Sequence, residues 1–291
     1  MNFTNGQELL EVCNKYNKKI HEVMLEKESK MSGAPKEKIR ENIKESLDIM
    51  KSAVNNALTK DIKSVSGLIG GEAKKIHERS KTNKPVCGSL MSKAISSSMG
   101  VLEVNASMGK IVAAPTAGSS GILPGTLIPL QEEFNLTDDD LIDAIITASA
   151  VGMIITKNAT VAGAEGGCQA ETGSAAAMAA AAIVEIMGGS PEASLHAASK
   201  CINNILGLVC DPIAGLVEAP CQSRNAIGAA NALICAEMAL AGVTSVIPFD
   251  EVVETMYRVG RDLPFELRET ALGGLAATPT GKKIQKQVLG E

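Results

Sequence analysis

Three cysteines stand in backbone that cannot run on as helix. Cys168 follows two glycines in KNATVAGAEGGC, at the entrance to the alanine-rich stretch QAETGSAAAMAAAAIVEIMGG. Cys210 precedes Asp-Pro and Cys221 follows Ala-Pro in CDPIAGLVEAPCQSRN, where proline and glycine break helical structure. A structural thiol is expected instead on the apolar face of a helix, as Cys13, Cys201 and Cys235 are on their helical stripes. Cys87, just after Pro85, fits neither group clearly. Three loop thiols point to a metal centre or to three buried thiols, and position alone leaves both open. A closed zinc site takes four ligands, often in paired CxxC, and the chain has no such pair. Three cysteines suit a four-iron cluster in which one iron lacks a protein thiolate, whereas electron carriers use four. An open iron is a Lewis acid that can help a hydroxyl leave.

A second chemical stretch is the loop APTAGSSGILPG, Ala114 to Gly125. Gly118 and Gly121 open backbone angles closed to other residues, Ser119 and Ser120 offer hydroxyls, and a helix is expected to start near Gly121. Free amides at a helix start attract anions such as a carboxylate. A Gly/Ser turn is also commonly just a turn.

The elements that must position these loops are helical. Aromatic residues make up 2% of the 291-residue chain and tryptophan is absent, so the core is built from Ala, Ile, Leu, Val and Met, which lets helices approach closely. Residues 1–84 hold 17 of the 28 Lys and Arg, and residues 85–247 hold only Lys93, Lys110, Lys157, Lys200 and Arg224. The first segment reads as amphipathic helices with solvated faces: one stripe runs from Leu9 to Met24, and after a break at Met31–Pro35 a second carries Ile39, Ile43, Leu47 and Met50. The middle is helical but buried. Thr137 before three aspartates and Ser190 before Pro191 mark helix starts, and another helix is expected from Glu192 to Leu206. Ile111–Ala114 is too short to establish a strand. The expected fold class is all-α, with amphipathic N-terminal helices over residues 1–64 packing on a single large multi-helix catalytic domain over residues 65–291.

Bulk properties exclude some functions. The net charge of −5 and the lack of a basic patch argue against nucleic acid. The apolar run LIDAIITASAVGMIIT is broken by Asp143 and too short to span a bilayer, so no membrane role is expected. The N-terminus is polar and charged from the start, unlike a secretory signal, and a cytoplasmic protein is expected.

The motifs APTAGSSGILPG, KNATVAGAEGGCQAETGSAAAMAAA, GGSPE, LGLVCDPIAGLVEAPCQSRNAI and LRETALGGLA, in this order over roughly residues 65–281, resemble the alpha subunit of the bacterial iron–sulfur L-serine dehydratases. The intervals of 42 residues from Cys168 to Cys210 and 11 from Cys210 to Cys221 look like that family's ligand spacing. The resemblance implies a [4Fe–4S] cluster held by Cys168, Cys210 and Cys221, with one iron free for substrate and no pyridoxal phosphate. It implies conversion of L-serine to pyruvate and ammonia, by loss of the hydroxyl and an α-proton and then hydrolysis of the resulting imine.

For the substrate carboxylate the expected site is Thr116, Ala117, Gly118, Ser119 and Ser120, with Arg224 as a charged clamp or, equally, as a structural partner of Glu218 or Asp211. Asn158 and Glu165 are candidates to meet the amino group. His21, His77 and His196 lie outside the motifs and read as surface or packing residues. Single-chain members carry catalytic histidines in a region without counterpart here, and the tail cysteine with which some single-chain members reach the cluster is absent from KQVLGE. The resemblance therefore implies a separate beta subunit that supplies the missing base or part of the pocket, and this sequence leaves the base unidentified; a homo-oligomer is compatible with it. The alternatives are a related lyase on another small amino acid, such as a cysteine desulfidase, or a non-catalytic iron–sulfur redox or sensor protein.

Overall fold

The computed structural model describes residues 2–290. The charge-rich segment forms α1 (Gly6–Tyr16), α2 (Ile20–Ser32), α3 (Lys36–Thr59) and α4 (Glu72–Thr82). The middle forms α5 (Gly88–Ala106), α6 (Ile122–Phe134), α7 (Asp138–Asn158), the single turn α8 (Gly163–Gly166), α9 (Ser174–Ile186), α10 (Pro191–Asn203) and α11 (Cys221–Leu240), and α12 (Phe249–Asp262) and α13 (Pro279–Leu289) follow. The all-α expectation holds: among the described residues the β-type pairing is one isolated parallel bridge, Cys210 with Arg268. Ile111–Ala114 is irregular.

The core is organised around α9. Its alanines, Ala175–Ala177 and Ala179–Ala182, are fully buried, and with so little side-chain bulk α10, α7 and α11 pack close on three sides. Gly152 of α7 lets Met178 lie against the backbone, since a Cβ there would stand 2.9 Å from the Met178 sulfur. The apolar stripes of α1, α2 and α3 join the same core through Leu9, Ile20, Val23, Leu47 and Met50.

Local signals act as the sequence predicts. The Thr137 hydroxyl accepts from the Asp140 amide while Asp140 accepts from the Thr137 amide, a reciprocal cap on α7. Ser190 caps α10 through the Ala193 amide, with Pro191 at the first helical position. One expectation changes. The stripe from Leu9 to Met24 is two helices, because Asn17 adopts a left-handed conformation (φ 49°) that ends α1, and asparagine tolerates this better than most residues.

Candidate active site

Each of the three loop cysteines enters the same region from a different segment, and the residue beside each one ties its segment to the next. The Gln169 amide, adjacent to Cys168, donates to the Leu208 carbonyl at 3.0 Å. Cys210 donates its amide to Leu267 at 2.8 Å and accepts from the Glu269 amide at 2.7 Å, which brings in the LRETALGGLA stretch. Arg224, one turn into the helix that Cys221 opens, donates to the Val209 carbonyl at 2.9 Å and to Asp211 at 2.7 Å. Asp211 also accepts from the Leu275 amide. Gln222 anchors the same helix end by donating to the buried carboxylate of Glu103 at 2.6 Å.

Glycine at the entrance to Cys168 has a specific cause. Gly167 has φ +74°, and a Cβ there would lie 2.9 Å from the Leu208 carbonyl oxygen. Past Cys168 the chain makes a π-helical turn, Gln169–Gly173, before α9 begins. Such turns recur at functional sites, where one residue per turn is forced out of the regular ladder.

The thiols are buried and free of disulfides. Burial pushes Cys221 up to about 12, and the neighbouring Cys168 and Glu171 add to the shift. Burial raises Cys210 further, and Cys168, Glu171, Glu269 and Cys221 act in the same direction. Cys168 is also raised by burial, against a hydrogen bond with Thr172 at 3.1 Å and the charge of Arg224. Cys210 and Cys221 both respond to the charge of Cys168, and all three thiols respond to Glu171, which places them in one electrostatic neighbourhood.

Among the described residues, no three His, Cys, Asp or Glu side chains close on one point as they would around a single ion. A lone zinc holds sulfur at about 2.3 Å, whereas a four-iron core is wider and spaces its ligands further apart. The donor set and its setting fit such a core: three soft ligands on loops, glycine backbone close by, and polar atoms left over. The Ser120 hydroxyl and Arg268 Nε are buried without a partner.

The structure gathers most of the sequence-predicted residues. The Thr116 hydroxyl donates to Glu171 at 2.8 Å and shares a contact with the Ser119 hydroxyl at 3.0 Å. Asn225 clamps the loop by accepting from the Gly121 amide and donating to the Gly118 carbonyl. The amides of Thr116, Ala117, Gly118 and Ser119 donate to no protein group among the described residues. Arg224 is paired with Asp211, while Glu218 instead accepts from Ser64 and Ser66 at 2.6 Å. Asn158 is not brought to the thiols: its amide donates to the Thr4 and Ile154 carbonyls at the end of α7. Glu165 is exposed on α8.

Sequence reasoning passed over Glu171 and Glu269. Glu171 sits in the π turn, and burial raises its pKa, opposed by the Thr116 hydrogen bond and reinforced by Glu269. A Cβ on Gly163 would come within 2.7 Å of its Oε2 and 3.0 Å of the Cys210 sulfur, and one on Gly118 within 3.1 Å of its Oε1. Its signal in the sequence was isolation: it is the one charged residue between Glu165 and Glu185. Glu269 has φ +63°, a strained value for glutamate that no sequence feature announces.

The family model described as "Serine dehydratase alpha chain" matches residues 15–276. The L-serine dehydratase, alpha chain, of Peptoniphilus asaccharolyticus is 50% identical over 286 residues, 98% of this chain and 98% of that protein. The probable L-serine dehydratase, alpha chain, of Bacillus subtilis (strain 168) is 48% identical over 99% of this chain and 96% of its own length. The L-serine dehydratase of Streptomyces coelicolor is 36% identical over 94% of this chain, which accounts for 60% of that longer protein. By this near full-length similarity, the chain belongs to the serine dehydratase alpha chain family.

Proposed function

We propose that this chain is the alpha chain of an L-serine ammonia-lyase that converts L-serine to pyruvate and ammonia with a [4Fe–4S] cluster held by Cys168, Cys210 and Cys221. The observation that carries the reading is the meeting of three buried thiols, from one loop and two helix entrances, with an anion-ready loop in a chain of this family. When bound, the cluster supplies a Lewis acid that withdraws electrons from the leaving hydroxyl. The chain's own residues do the rest of the binding. The free amides from Thr116 to Ser119 and the buried hydroxyl of Ser120 receive the carboxylate. Arg224 keeps the Cys210 and Cys221 segments in register through Val209 and Asp211, and its positive charge favours the thiolate form of Cys168.

A separate beta chain completes the enzyme in this reading. The longer relative from Streptomyces coelicolor has a part that this chain does not match, and no base for the α-proton is assigned here. The enzyme acts in the cytoplasm on this view; among the described residues no helix is long and apolar enough to cross a membrane.

The test is anaerobic reconstitution with iron and sulfide, followed by assay with the beta chain on serine, threonine and cysteine. Close to four irons per chain and pyruvate from serine are expected. Cys→Ser changes at positions 168, 210 and 221 should each abolish both. Sulfide release from cysteine without pyruvate from serine would mark a desulfidase. A cluster that cycles electrons yet ignores serine would mark a redox protein, and either result would overturn the proposal.

A further inference from the structure

An α-amino acid brings a positive charge as well as a carboxylate and a hydroxyl, and a site selective for it needs a counter-charge. Asn158 and Glu165 do not meet that need, since one is committed to backbone carbonyls at the end of α7 and the other is exposed. Glu171 is placed differently. Its Oε1 accepts from Thr116, the first residue of the carboxylate loop, while its Oε2 accepts no hydrogen bond among the described residues. Oε2 points to the side where Gly163 approaches the Cys210 sulfur, so the empty oxygen lies on the Cys210 side of the site.

The charges around Glu171 do not balance. Glu269 repels it, and Arg224, which favours its ionised form, is engaged with Asp211 and Val209. Loading the three cysteines as thiolates adds more negative charge to the same space. A carboxylate kept in such a position, with one oxygen unused and glycines packed against both, calls for a cation that arrives from outside.

We propose that Glu171 receives the substrate's α-ammonium group and thereby makes the site selective for amino acids over the corresponding hydroxy acids. This rests on the reading of the chain as a serine lyase. With the carboxylate on the Thr116–Ser119 amides and the ammonium on Glu171, which Thr116 joins to that loop, the side-chain hydroxyl is left to turn toward the sulfur ligands. Glu171 acts here as a specificity-determining residue, with no proton transfer assigned to it.

The test compares L-serine with 3-hydroxypropionate, which keeps the hydroxyl and carboxylate and lacks the ammonium. Each is titrated into the anaerobic iron-loaded enzyme with its beta chain, and binding is read from the paramagnetic-resonance signal of the cluster, alongside KM and kcat for serine. Glu171→Gln should keep its iron, lose about ten-fold or more in serine affinity, and bind 3-hydroxypropionate as well as before or better. KM should rise more than kcat falls. Glu171→Asp, which draws the carboxylate back by one methylene, should weaken serine several-fold and leave 3-hydroxypropionate unchanged, and it carries the test if the glutamine variant does not fold. Equal losses for both ligands, or no loss for serine, would overturn the assignment. A wild-type signal that ignores serine would instead sink the serine reading itself, and this subsite with it.

Discussion

The central alanine helix α9 has a glutamate at each end, and the two are treated in opposite ways. Glu185, near its C-terminus, is 2% exposed. Its carboxylate accepts from the Ile20 amide at 2.6 Å, the His21 amide at 3.2 Å, the His21 ring at 2.8 Å and the Thr147 hydroxyl. Burial alone would raise its pKa, but these donors outweigh burial and hold it below the usual carboxylate value. Glu171, just before the N-terminus, has one donor and a raised pKa. The saturated carboxylate ties α2 and α7 to α9 and has no capacity left for a ligand. The unsaturated one is held beside three thiols with an oxygen to spare. A carboxylate thus serves architecture at the fully buried end and, on the proposal above, recognition at the partly buried one.

The largest effect expected from breaking this contrast is on stability at the saturated end. Glu185→Ala leaves the Ile20 amide, the His21 ring and the Thr147 hydroxyl buried without their acceptor, at a cost of about 3–5 kcal/mol. A thermal unfolding midpoint lower by roughly 10 °C should follow. Glu171→Gln should leave the midpoint of the iron-free chain unchanged or slightly higher, because it removes a carboxylate that burial and Glu269 both oppose. A comparable fall in both variants would mean the two ends are alike after all.

Acid should also separate the ends. Glu185 has a folded value below its unfolded one, so the stability it contributes is fully present above the ordinary carboxylate range and is lost as pH falls through the lowered folded value. Glu185→Gln should therefore flatten the acid limb of a stability–pH profile as pH falls below the ordinary carboxylate range. An acid limb unchanged in the variant would show that the donors around Glu185 do not favour its charge.

Much of this was legible in the sequence, and the exceptions have physical causes. Alanine content and the lack of aromatics foretold a helical core, and the proline and glycine beside Cys168, Cys210 and Cys221 set them apart from the core thiols. Cys221 nevertheless proves to be the first residue of α11, and Cys168 has helical backbone leading into the π turn, which leaves Cys210 alone in irregular backbone. The caps at Thr137 and Ser190 are local chemistry and were read correctly. Partners distant in sequence were not readable in the same way. Arg224 had two acidic candidates within thirteen residues, and only the folded loop, closed by the Ile213 amide on the Ala219 carbonyl, decides that Asp211 faces it while Glu218 turns to Ser64. Glu171 stood out as a lone charge, yet its neighbours Thr116 and Glu269 lie 55 and 98 residues away and no local pattern connects them.

A milder change tests the space around the unsaturated carboxylate. Gly163→Ala would put a methyl 2.7 Å from Glu171 Oε2 and 3.0 Å from the Cys210 sulfur, so the carboxylate that Thr116 holds at Oε1 would have to shift. A strain of about 1–3 kcal/mol is expected, seen as lower iron and sulfide content after reconstitution and as weaker serine binding. Gly152→Ala is the control, because its methyl meets only the flexible Met178 side chain in the core. It should keep full iron content. Loss of iron in both would point to general damage to the helical core and away from crowding at the site.

The smallest effect expected is the most selective. Thr116→Val removes the single hydrogen bond to Glu171 and keeps the shape of the side chain and the backbone amides of its loop. Such a bond contributes about 1 kcal/mol net, roughly a five-fold change in an equilibrium constant. If the bond orients Glu171 for an ammonium group, serine affinity should fall by about that factor while 3-hydroxypropionate is held as before, since its carboxylate still meets the same amides. If Thr116 serves the carboxylate through its hydroxyl, both ligands weaken together. The ratio of the two affinities therefore separates a residue that aims the counter-charge from one that binds the anion, even though either would lower turnover. That ratio is also insensitive to the amount of iron loaded, because both ligands are read on the same sample.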